Sequence, residues 1–140
     1  MRRWTTLRRR VAPVRVSPER GSAAVQTAML FPVVLLLVFG IIQGALWFHA
    51  RNIALGAAQE GARAASAEGG AGGEQRAREF VSNLTGGTLI RELDVRETAT
   101  GEMVTITVVG NAPSLVPGVT GLTVRQSATA PIERFTEVGS

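Results

Sequence analysis

The sequence predicts an α+β protein: a long N-terminal transmembrane helix extending outward, then a short helix and a small antiparallel sheet of about three strands. Three observations predict it. Thirty consecutive residues between Arg20 and Arg51 carry no formal charge. A second, shorter segment repeats its apolar residues at helical spacing. Beyond it the apolar period falls to two, the period of a strand. The expected organisation is a basic cytoplasmic leader over residues 1–21, a hydrophobic helix over 22–67, a glycine-rich linker over 68–73 and a small extracytoplasmic α+β domain over 74–140.

The leader comes first. Residues 1–20 hold seven arginines (Arg2, Arg3, Arg8, Arg9, Arg10, Arg15 and Arg20) against one acid, Glu19, a net +6. Residues 21–140 hold eight arginines against ten acids, a net −2, so the high pI belongs to the tail alone. A block of like charge is usually a solvated tail. A basic tail ahead of a hydrophobic segment instead sets membrane topology and keeps the N-terminus in the cytoplasm. The reading is therefore membrane and no nucleic acid.

The hydrophobic segment is densest from Ala28 to Phe48. About 20 apolar residues cross about 30 Å of hydrocarbon, and the core of a secretory signal is shorter, about 7–15 residues. Trp47, Phe48 and His49 stand at its far end, where amphipathic rings favour the interface. Pro32 removes one backbone donor and is expected to loosen or kink the helix near Ala28. Gly40 and Gly44 make a G-x-x-x-G, which is either chance or a place of close helix packing.

Past the span, small residues recur at Ala50, Ala54, Ala58, Gly61 and Ala65, on one helical face. This is either a solvated alanine-rich helix or a smooth stripe against which another helix packs. A helix from Ser22 to Ala67 would be about 70 Å long, which calls for neighbouring helices beside it.

These pieces together, an arginine-rich leader, a glycine, a few small residues, one polar residue and a long apolar helix, resemble the N-terminus of a type IV prepilin. More narrowly, the stretch from "RGSAAV" at Arg20 through Pro32, the Leu/Val run with Phe39–Gly40 and "EGARAAS" ending at Ser66 resembles the TadE-like family of the tight-adherence (Tad) pilus system. The resemblance implies a minor pilin or pseudopilin, with a long helix leading to a small sheet as in pilins. It implies cleavage by a membrane prepilin peptidase between Gly21 and Ser22. Partners would be other pilin or pseudopilin subunits and the Tad assembly platform, in the inner (cytoplasmic) membrane or in an extracellular pilus. Gln26 is the fifth residue after the cut, where the family normally carries glutamate. It can hydrogen-bond to a neighbour but cannot form an ion pair with a neighbour's new amino terminus. The competing reading is an uncleaved single-pass accessory of a secretion or envelope complex.

Outside the membrane, "EGGAGG" (Glu68–Gly73) breaks the long helix. Ala77, Phe80, Val81 and Leu84 at i, i+3, i+4 and i+7 predict an amphipathic helix that Thr85–Gly87 stops. Leu93 and Val95 alternate with charge, and Val104, Ile106 and Val108 alternate with threonine, giving a hairpin through "TATG". Leu122, Val124, Ala128 and Ala130 predict a third strand facing inward, which Pro131 ends or keeps at an edge. Between strands two and three runs a twelve-residue connection rich in Pro and Gly, Gly110–Gly121. Its length suggests function or motion. The core is thin, so the long helix or neighbouring subunits should cover the sheet.

No enzyme is expected. There is no cysteine, and His49 is the sole histidine, so thiolate and histidine metal sites are excluded and no cofactor is implied. Ser114 and Ser127 have no recognisable base. The acids Glu92, Asp94, Glu97 and Glu102 read as solvated charge. "GGAGG" lacks the lysine of a phosphate loop.

Overall fold

The computed structural model describes residues 18–133, so the arginine-rich leader up to residue 17 lies outside the described residues. The elements are α1 (Pro18–Ala67), α2 (Gly73–Thr85), β1 (Arg91–Thr100), β2 (Met103–Asn111) and β3 (Thr123–Pro131). The fold class is α+β, with a long apolar helix, a short helix and a three-stranded antiparallel sheet, as the sequence predicts. The chain divides into two compact units at Leu37/Val38.

In the first unit, residues 21–37 of helix α1 are all exposed. The helix passes through Pro32 without interruption.

The second unit holds the rest of α1 and everything after it. Residues Ala50, Ile53, Ala54, Ala57, Ala58, Ala62 and Ala65 are buried in one cluster with Ala77, Val81, Val95, Val104, Ile106, Val108 and Val124. Their spacing along α1 follows successive turns, so one helical face is turned into the core. Alanine and glycine let the α1 backbone come close to its partners. A Cβ placed on Gly61 would lie 2.6 Å from the Gly73 carbonyl oxygen, and one on Gly73 would lie 2.5 Å from the Gly61 carbonyl oxygen.

Helix α1 stops at Gly69, which takes the left-handed conformation (φ 76°). The Gly70 amide donates to the Ala65 carbonyl at 2.7 Å, the six-to-one bond of a Schellman turn. Gly72, also left-handed, precedes α2 and offers no side-chain cap. A cap comes from the sheet instead: the Glu97 carboxylate accepts from the Glu74 amide at 3.0 Å. Arg78 pairs with Glu74 at 2.9 Å and donates to the Leu93 carbonyl at 3.3 Å, tying α2 to β1. Gly86 ends α2 in the left-handed region, its amide donating to Ser82.

Strand β2 is central, between β1 and β3. It pairs Val108 with Val95 and Gln126, and Ile106 with Glu97 and Ala128. Val104, Ile106 and Val108 are buried, whereas the other face is polar, with the Thr105 and Thr129 hydroxyls 2.9 Å apart. The hairpin turn is shorter than "TATG" suggested, because pairing continues to Thr100↔Met103. Two inward assignments are corrected. Leu84, in the last turn of α2, is exposed because the sheet does not extend under it, and Leu122 precedes β3 and is exposed in the connection. Val124 is buried, and Ala128 and Ala130 are half-buried.

Candidate functional site

The surface most in need of a partner is the apolar face of α1. Met29, Leu30, Phe31, Leu36, Leu37, Ile41 and their neighbours are all exposed. Exposure of so much contiguous apolar surface marks an interaction with lipid or protein. The run ends at Gln43, where the folded domain begins to cover the helix. Gln43 Nε2 donates to the Pro113 carbonyl at 2.9 Å, and its Oε1 accepts from the Leu115 amide at 3.0 Å. One turn on, Trp47 Nε1 donates to the Thr123 carbonyl at 3.3 Å, and Arg51 lies 5.9 Å from the Trp47 ring centroid. The densest apolar stretch therefore does not all face outward: its last turn is held by the domain.

The residues singled out from sequence separate into three groups. Gly21, Ser22 and Gln26 lie on α1 and are exposed. A Cβ on Gly21 would meet no heavy atom within 4 Å. Thr27 Oγ1 donates to the Ala23 carbonyl at 2.9 Å. Gly40 and Gly44 are equally open, with no heavy atom within 4 Å of an added Cβ. Ala54, Ala58, Gly61 and Ala65 are different. They are buried inside their own domain. The helix that approaches this stripe is α2 of the same chain, with the sheet beside it.

Among the described residues no group of three or more His, Cys, Asp or Glu is placed to hold a metal ion. Two of the surface ion pairs are Arg76 with Glu60 at 3.1 Å and Arg96 with Asp94 at 2.9 Å. Sequence reasoning missed Gln43 altogether, and for Trp47 and Glu97 it missed the contacts they make. A polar residue at the end of an apolar run was the one available signal for Gln43. Nothing local announces that Glu97 caps a helix 23 positions earlier.

Comparison with known families finds one likeness, confined to the N-terminal half of the chain. Residues 21–63 match the family model of TadE-like proteins. The match opens on Gly21 and takes in the exposed apolar stretch, Gly40 and Gly44, and the alanine-lined half of α1 as far as Arg63. None of the curated proteins and none of the solved structures compared with the chain matches it. The match covers 43 of the 140 residues, so the likeness to TadE-like proteins, which are pilus-related, belongs to that segment. The one helix long and apolar enough to cross a membrane among the described residues, Gly21–Ala67, indicates single-pass anchoring.

Proposed function

We propose that the chain is a minor pilin or pseudopilin that takes part in assembling a Tad-type pilus. Residues 1–21 are the leader, held on the cytoplasmic side by their arginines. A prepilin peptidase cuts between Gly21 and Ser22. The hydrophobic helix then moves from the inner membrane to a place among other pilin or pseudopilin subunits on the assembly platform. The small α+β domain stays on the outer side. The single observation that carries this reading is that the TadE-like match opens at Gly21, at the head of a long run of exposed apolar side chains.

On this reading Gln26 registers the subunit by hydrogen bonds, worth about 0.6–2 kcal/mol between membrane helices. Gly40 and Gly44 are where a sibling helix comes closest. The absence of a charge at position 26 suits a subunit at the end of a filament, which has no subunit ahead of it to pair with.

The test is mass spectrometry of the protein purified from cells with and without the peptidase. A mature N-terminus at Ser22 that depends on the peptidase is expected, and Gly21→Ala should accumulate at full length. Functional protein that retains Met1 to Gly21 would refute the reading.

A further inference from the structure

We propose that the connection between β2 and β3, residues 112–122, is a membrane-surface loop whose apolar tip rests in the outer interfacial layer of the bilayer beside α1. The proposal rests on the single-pass anchoring described above.

The first argument is position. The hairpin end of the sheet lies at the far end of α1, where Ser66 Oγ donates to the Pro131 carbonyl and the Glu133 amide donates to the Ser66 carbonyl at 3.1 Å. The opposite end of β2 lies at Gln43, which grips Pro113 and Leu115 through both atoms of its amide. Strand β2 therefore runs antiparallel to α1. The 112–122 loop is thus the end of the domain that meets α1 at Gln43. Immediately before Gln43, Val38, Phe39, Ile41 and Ile42 are exposed. Immediately after it come Trp47, Phe48 and Arg51, the order of residues met on leaving hydrocarbon for water.

The second argument is composition. From Met103 to Val124 there is no charged residue. Within the loop Leu115 is 40%, Val116 57%, Val119 56% and Leu122 56% exposed. Elsewhere on the domain the exposed large aliphatic side chains, such as Leu55, Leu84 and Met103, stand apart from one another in the sequence. Four outward aliphatic side chains in eight residues, with no charge among them, fit a lipid surface better than water.

The third argument is how the loop is built. It is closed at its base by the Ala112 amide on the Leu122 carbonyl at 2.9 Å, and at its tip by the Val119 amide on the Val116 carbonyl at 3.2 Å. The Val116 amide bonds to Ser114 Oγ at 3.2 Å, and Pro113 and Pro117 have no amide hydrogen to satisfy. A backbone partly satisfied in this way tolerates the headgroup and upper acyl region, where water is still present, but not the hydrocarbon centre. The occupant is thus lipid at shallow depth. The loop would fix the height of the domain, and its rotation about α1, before assembly.

The chain has no cysteine, so single cysteines can report on each position in the full-length protein. Val116→Cys, Val119→Cys, Val34→Cys and Thr98→Cys variants are labelled with an environment-sensitive fluorophore. They are then reconstituted in phosphatidylethanolamine/phosphatidylglycerol vesicles carrying spin-labelled lipids. The expected result is emission shifted to shorter wavelength at 116 and 119, with quenching by labels near the headgroups. Quenching at 34 by deep labels, and water-like emission at 98, are expected alongside. Quenching at 34 with water-like emission at 116 and 119 would overturn the proposal and leave the anchor standing. Labels at 116 and 119 shielded from aqueous iodide yet unquenched by lipid would overturn it in favour of a protein cover, such as a second copy. Absence of lipid quenching at 34 would remove the anchor and the proposal with it.

Discussion

The crossing of α1 over the start of α2 is the tightest backbone contact in the core, and an added methyl group tests it directly. In Gly61→Ala the new Cβ would stand 2.6 Å from the Gly73 carbonyl oxygen, 3.0 Å from Ala77 Cβ and 3.3 Å from Ile106 Cγ2. The nearest atom is backbone, so no rotamer change relieves it. Overpacking of this kind costs about 1–3 kcal/mol, and the upper half of that range applies. Against it stands the helix-propensity gain of alanine over glycine, about 1 kcal/mol. The net is a loss of about 1–2 kcal/mol, or roughly 10 °C in Tm for a domain of this size. Gly73→Ala should behave alike, its Cβ lying 2.5 Å from the Gly61 carbonyl oxygen and 2.7 Å from Ile106 Cδ1. The double variant should lose less than the sum, because the first methyl group already separates the helices. Gly40→Ala and Gly44→Ala are the controls. Neither Cβ meets an atom within 4 Å, so neither should lower Tm. The assay is thermal unfolding of the detergent-solubilised full-length protein followed by circular dichroism. A wild-type Tm for Gly61→Ala, or an equal fall for Gly40→Ala, would refute the reasoning. A stable Gly40→Ala protein that fails to enter filaments would locate that glycine at a contact between subunits.

Two further outcomes follow from single contacts. Glu97→Ala should destabilise the fold by about 1 kcal/mol, the usual worth of a helix N-cap, and should speed hydrogen exchange at the Glu74 amide, with Glu97→Gln milder because an acceptor remains. Gly121→Ala would put a Cβ 1.6 Å from the Ala112 carbonyl oxygen, next to the bond that closes the connecting loop. A loss of about 2–3 kcal/mol and rapid proteolytic cleavage within residues 112–122 are expected, and protease resistance equal to wild type would contradict it.

Much of the architecture was legible along the chain because it is written in local periodicity. The uncharged run from Gly21 to Ala50, the alternation at Val104, Ile106 and Val108, and the glycines that end both helices each specify an element within a few residues of themselves. The TadE-like character was legible for the same reason, since it lies in one contiguous stretch. A period identifies a face but not what covers it. The stripe at Ala54, Ala58, Gly61 and Ala65 was plain, yet only the tertiary structure decided that α2 and the sheet of the same chain fill it. Leu84 and Leu122 keep the correct phase but fall past the ends of the surfaces that would bury them. Gln43 meets Pro113 across 70 positions and Leu115 across 72, and Glu97 reaches back 23 to cap α2. Such bonds depend on where the chain returns in space, which no local pattern encodes. They are what set the point on α1 where the apolar rod ends and the folded domain begins.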